Sequence, residues 1–197
     1  MTIIADGTGT KTGAKVNGNN RLYTSAITKA EEKLATNNGD SFTIAQGMVT
    51  LTSAGESGTL YIKNNESRNL HIRQAIVSLG PSTGGATTDT NHIRIYRNPT
   101  AGTLISTATT GPIACNRNFG SSATLDADMY VGAEGETITD GIVHSQTLIN
   151  SGTVLELAID ETLIKGSAIA FSVEPQDSNT SMKTMFEVLC FLEDENE

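Results

Sequence analysis

The chain has 197 residues, enough for one domain with a margin for an arm, and its low apolar (37%) and charged (18%) fractions are made up by Thr, Ser, Gly and Asn, which favour strands and turns over helices. A net charge of -9 without any dense Lys/Arg run speaks against a nucleic-acid binder, which needs a basic face to release counterions from phosphate. The absence of Trp and an aromatic content of 5% leave little for a stacking platform, and no apolar run approaches the length that spans a bilayer.

The first 39 residues differ from the rest. MTIIADGTGT lacks the basic start and apolar core of a signal peptide, so synthesis in the cytoplasm without secretion by the usual route is expected. DGTGTKTGAKVNGNN (6–20) has almost nothing to bury and cannot form a core by itself. RLYTSAIT (21–28) alternates as an extended segment does, and KAEEKLATNNG (29–39) has Ala30 and Leu34 at helical spacing with Gly39 as a stop, which predicts one short helix. Residues 1–39 thus read as an N-terminal arm that orders against another surface, followed by a body over 40–197.

From residue 41 the pattern is strands. SFTIAQGMVTLTS pairs Phe42 with Ile44 and Val49 with Leu51, and Gly47 between them marks a turn or bulge. TLYIKNN puts Leu60 and Ile62 on one face. NLHIRQAIVSLG carries Leu70 and Ile72, then Ala75, Val77 and Leu79, and the break near Gln74 predicts a second bulge. HIRIYRN alternates Ile93 and Ile95 with Arg94 and Tyr96. Beyond a less regular stretch, where Leu104, Ile105, Ile113, Ile138 and 142–148 mark short strands, come TVLELAID, SAIAFSVEP and MFEVLCFLE. Their alternating apolar residues are Leu155, Leu157 and Ile159, then Ala168 and Ala170, then Phe186, Val188 and Cys190. Two long polar stretches, 80–91 and 116–136, read as loops. Eight or nine strands with no strand–helix rhythm predict an all-β, antiparallel β-sandwich of jelly-roll type, whose Greek-key crossings use such long connections.

Sites for chemistry are sparse. GTGTKTGAK is glycine-rich, yet Gly7 plus five is Thr12 and Gly9 plus five is Ala14, so no GxxxxGK[ST] phosphate loop is present. His71, His92 and His144 have no zinc spacing, and the first two read as exposed strand residues. Asp126 and Asp128 form a DxD without the rest of a calcium loop, and read as solvated loop acids. Cys115 and Cys190 fit neither a CxxC nor a metal motif and read as two buried free thiols. Neither a GxSxG elbow nor a Cys–His signature appears. No enzyme, cofactor or metal is expected.

The arm DGTG…AKVNGNNRL (6–22) and the strings YIKNNE (61–66), RNPTAG (97–102), NRNFGSS (116–122), GAEGE (132–136) and KGSAIAFSVEPQDSNTSM (165–182) point further. In this order the chain resembles tailed-bacteriophage virion structural proteins of the capsid decoration (cement or auxiliary) type, over nearly its whole length. Each string alone is short and polar; their order carries the resemblance. It implies a sandwich body, a homotrimer, a place on the capsid surface over the major capsid protein, and no catalytic residues. The arm residues Lys11, Lys15, Asn20, Arg21, Leu22 and Tyr23 become the candidate capsid contacts, adding pairing to neighbouring sheet edges. A tail, baseplate or fibre protein touching a host receptor is the alternative, with Tyr96, Phe119 and Tyr130 as its aromatic contacts.

Overall fold

The structure, a computed structural model, describes residues 31–52, 55–81, 90–102, 111–176 and 181–193. One helix, α1 (Glu31–Asn38), precedes thirteen strands: β1 (Ser41–Ala45), β2 (Val49–Leu51), β3 (Ser57–Asn64), β4 (Leu70–Leu79), β5 (Thr90–Arg97), β6 (Ala101–Gly102), β7 (Ile113–Asn116), β8 (Ala127–Val131), β9 (Ile138–Thr139), β10 (Ile142–Asn150), β11 (Val154–Leu163), β12 (Ala168–Pro175) and β13 (Met182–Leu192). The helix stops where expected, at Gly39 with φ +84°, a conformation that glycine adopts without a Cβ penalty. Ala35 is its buried residue, and Asp40 N–H donates to the Ala35 carbonyl at 2.8 Å.

The strands form two antiparallel sheets packed face to face. One runs β11-β4-β13-β1-β7, with β2 continuing the β1 edge along β13, and the other runs β10-β5-β12-β3-β8. Four pairings nest around a single tip. Arg97 sits opposite Ile142, Leu70 opposite Leu163, Lys63 opposite Ala168, and Ser41 opposite Phe191. The chain is one long hairpin wrapped on itself, which is the jelly-roll connectivity. The tip is the segment 98–141. Its first and last residues continue the hairpin as β6 against β9, through turns at Asn98 (φ 49°), Asp140 (φ 56°) and Gly141 (φ 85°). A Cβ on Gly141 would stand 3.0 Å from Pro99 Cα, so the tip needs glycine there. Between β6 and β9 the segment adds β7 to the outer edge of one sheet and β8 to the outer edge of the other.

The core lies between the sheets. Phe42, Ile44, Leu51, Leu60, Ile62, Leu70, Ile72, Val77, Ile93, Phe171, Phe186 and Val188 are each at most 1% exposed. Phe171 of β12 and Phe186 of β13 meet across the layers with ring centroids 5.1 Å apart. Burying such side chains is worth about 1.5–3 kcal/mol each, so the inward alternation of the strands supplies the main driving force. Both expected bulges are present. β4 slips by one residue at Arg73 against β13 and against β11. Residues 46–48 slip against β13 where Gly47 sits, between the Ala45–Glu187 and Val49–Thr184 pairs.

Two expectations change. The stretch 116–136 is not all loop, because β8 runs through it and pairs with β3 from Leu60↔Val131 to Asn64↔Ala127. Its polar alternation hid a strand that is half-buried on both faces. In β12, Ala168 and Ala170 are not the core face: Ile169, Phe171 and Val173 point inward, and the two alanines lie buried on the outer face. A central strand covered on both sides loses its period-two signal.

Candidate functional site

The two outer faces of the sandwich differ. On the five-stranded sheet the tip segment folds back as a cover. Glu136 accepts from Gly58 N–H at 2.7 Å, Ser57 Oγ accepts from Gly135 N–H at 3.0 Å, and Ile138 packs with Tyr61, Tyr96 and Tyr130 over Ala168 and Ala170. Tyr61 and Tyr130 stack at 5.7 Å.

Beside this cover stands a charged network. Arg94 Nη2 reaches Glu174 Oε2 at 2.5 Å, and its Nη1 lies 3.0 Å from Glu56 Oε2. Glu56 Oε1 also accepts from the Tyr96 hydroxyl and, at 2.5 Å, from Ser172 Oγ, which is fully buried. His92 Nδ1 completes the group, 3.5 Å from Glu174. Burial, and then the carboxylate of Glu56, push the Tyr96 hydroxyl up to about 12 from 10.0. A raised folded value means that the neutral hydroxyl is favoured by folding. Its contribution is complete below pH 10 and is lost as pH rises through about 12. Denaturation curves taken across that window are therefore expected to fall more steeply for the wild type than for Tyr96→Phe. Parallel falls would remove Tyr96 as the cause.

The outer face of the six-stranded sheet is covered at one end only, where α1 packs against β1 and β13 and leaves Ser41 and Phe191 at most 3% exposed; the rest of it is open among the described residues. Register places Ile113, Ala45, Glu187, Ile76 and Glu156 in one row across it, and Cys115, Thr43, Leu189, Gln74 and Ala158 in the next. Met185, Ser78 and Val154 form a third. Ile113 is 69% exposed, Val154 67% and Met185 39%. Glu156 and Glu187 have no ion pair among the described residues. The open part of the face is largely apolar and weakly acidic.

One corner of it carries a second ionic group, at the Arg73 bulge. Asp160, held at φ 56°, takes Arg73 Nη1 at 2.7 Å and His71 Nε2 at 3.1 Å. The Arg73 guanidinium first, and His71 next, hold its carboxyl below the usual range. His71 Nδ1 faces Thr162 Oγ1 at 3.3 Å, but that hydroxyl donates to Glu193 Oε1 at 2.9 Å. The Asp–His–Thr row is a set of strand-to-strand ties and not an activated nucleophile.

The remaining candidates resolve simply. Asp128 is a strand residue paired with Lys63 (3.6 Å) and Asn65 (2.8 Å) and not a solvated loop acid, while Asp126 precedes the strand. No cluster able to hold a metal exists among the described residues. Both cysteines are free. Cys190 is buried, which pushes its thiol up to about 12, but Cys115 is exposed because edge strand β7 turns it outward beside Thr43. Lys11, Lys15, Asn20, Arg21, Leu22 and Tyr23 lie outside the described residues, as do Leu104 and Ile105. Among the described residues, no helix is long and apolar enough to cross a membrane.

No family model and no curated protein matches the chain. Among solved structures there are distant likenesses, two of them at 11% identity. The Yersinia pseudotuberculosis-derived mitogen aligns over 79% of this chain and 89% of its own, with a TM-score of 0.32. The 60-mer BFDV capsid protein aligns over 80% of this chain and 96% of its own, with a TM-score of 0.26. Likenesses of that order assign neither family nor activity.

Proposed function

We propose that this is a non-enzymatic virion structural protein, a decoration or cement protein that coats the head lattice of a tailed phage. Its partners are the major capsid protein and further copies of itself in a homotrimer. It is made in the host cytoplasm and resides on the capsid surface. The observation that supports this reading is the contrast between the two outer faces. One is covered by the protein's own tip segment, and the other, beyond the end that α1 covers, presents Ile113, Val154 and Met185. An exposed apolar sheet face suits attachment by shape over a broad surface. In a repeating lattice, weak contacts of this kind add through multivalency. The arm, with Lys11, Lys15, Asn20, Arg21, Leu22 and Tyr23, supplies a second contact by strand addition.

The tail or fibre reading draws less support. Of its three aromatic contacts, Tyr96 is tied to Glu56 and Tyr130 is stacked on Tyr61, which leaves Phe119 at 95% exposure. Counting copies per purified particle tests the proposal. Hundreds of copies in fixed ratio to the major capsid subunit are expected, and Met185→Glu on the open face should lower that occupancy without lowering the melting temperature. A few dozen copies or fewer would place the protein on a tail or fibre and overturn the reading.

A further inference from the structure

Near the tip of the hairpin a half-open cavity of about 270 Å³ lies between the edge strands β10 and β11 of the two sheets. Its floor is Ile95, Leu163 and Ile169, all at most 6% exposed, and Ile164 stands at the rim at 60%. Three polar side chains line the same space. A bulge in β10 between Val143 and Ser145 places His144 against Glu161, with Nε2 to Oε1 at 3.0 Å. Glu161 lies opposite Ile72, on the inward side of β11, so this pair bridges the two sheets. The third group is Arg97. Alternation along β5 puts it on the same side as Ile93 and Ile95, across from Ile169 of β12 and Ile142 of β10.

Arg97 ends β5 with its side chain exposed, on the side of the strand that carries Ile93 and Ile95. Arg68, Arg73, Arg94 and Arg117 each face a carboxylate, namely Asp40, Asp160, Glu174 and Glu32. Arg97 has none among the described residues, and the one acid lining the cavity, Glu161, is engaged by His144. An apolar floor and an uncommitted planar fork define a ligand chemistry, since a guanidinium binds a carboxylate through two parallel hydrogen bonds. A dry cavity of roughly 150 Å³ accepts a benzene ring, so this one has room for a ring and its carboxylate. We propose that the cavity binds a small monocarboxylate with an apolar body, its tail against Ile95, Leu163 and Ile169 and its head on Arg97.

The test is an NMR titration of the full chain, observing the methyl groups of Ile95, Leu163 and Ile169, with benzoate, benzyl alcohol and benzylamine as probes. Saturable shifts are expected with benzoate, and weaker binding by roughly tenfold or more with the other two, the scale of one charge-assisted hydrogen-bond pair. Arg97→Gln, at an exposed side chain, should leave the melting temperature unchanged and bring benzoate down to the alcohol. Equal affinity for benzoate and benzyl alcohol in the wild type, benzoate binding that survives Arg97→Gln, or methyl groups that none of the three probes shifts would each overturn the proposal.

Discussion

Phe186→Ala is expected to cost about 3–5 kcal/mol and to lower the melting temperature by roughly 10 °C or more. The ring is fully buried at the middle of β13 and meets Phe171 from the opposite sheet. Its loss removes transfer free energy, opens a void that neither sheet can close without shifting strands, and deletes an aromatic pair. Against a total stability of about 5–15 kcal/mol for a folded domain, that is a large share. Phe119→Ala is the control, because its ring is 95% exposed and its truncation should stay within about 0.5 kcal/mol. Urea unfolding of both variants decides the matter. A loss below about 2 kcal/mol for Phe186→Ala would mean that the two sheets are less tightly apposed than the ring contact implies.

The second large effect belongs to a charge. Glu56→Ala is expected to cost about 2–3 kcal/mol, because it strands three groups at once. Of its two carboxylates Arg94 keeps only Glu174, while the Tyr96 hydroxyl and the buried Ser172 Oγ both lose their acceptor. The side chains of Arg94 and Glu56 are 18% and 35% exposed, so water relieves part of the penalty and the estimate stays at the lower end for a broken ion pair. Glu187→Ala on the open face, where no ion pair exists among the described residues, should be close to neutral. Equal losses for the two variants in chemical denaturation would show that the Glu56 network adds nothing beyond a surface charge.

Much of the body was legible because its inward positions are simple. Phe42, Ile44, Leu70, Ile72, Val77, Phe186 and Val188 alternate cleanly, and period breaks at Gly47 and Gln74 coincide with real bulges. Strand order was not legible, because nested pairing depends on which distant segments meet, and no local pattern reports that. β8 was missed for a different reason. Asp126, Asp128 and the polar run before them look like loop, yet Lys63 and Leu60 across the ladder give that segment its partners. The cavity was also missed, although one signal was present: HIRIYRN carries Arg97 in phase with Ile93 and Ile95, a cation on the side of the strand that carries core residues. The break of alternation at Ile142 and Val143 marked the bulge that delivers His144. Its partner Glu161, from another strand of the opposite sheet, could be found only once the fold had brought the two together.

Nested pairing also has a consequence in time. Ser41 bonds to Cys190, 149 residues further along the chain, so the first strand of the body can pair early only with β7 on one edge, and its other edge waits for β13. At about 5–20 residues per second the ribosome takes roughly ten to thirty seconds to cover that interval. Throughout it Phe42, Ile44, Leu60 and Ile62 are without the β13 and β12 residues that eventually cover them. Closure of such distant pairs is the slow step in β-rich chains, and for β1 with β13 it cannot begin until β13 has been made. The nascent protein is therefore a natural client for a chaperone that shields apolar strands, and its yield should depend on such help far more than the stability of the finished sandwich does.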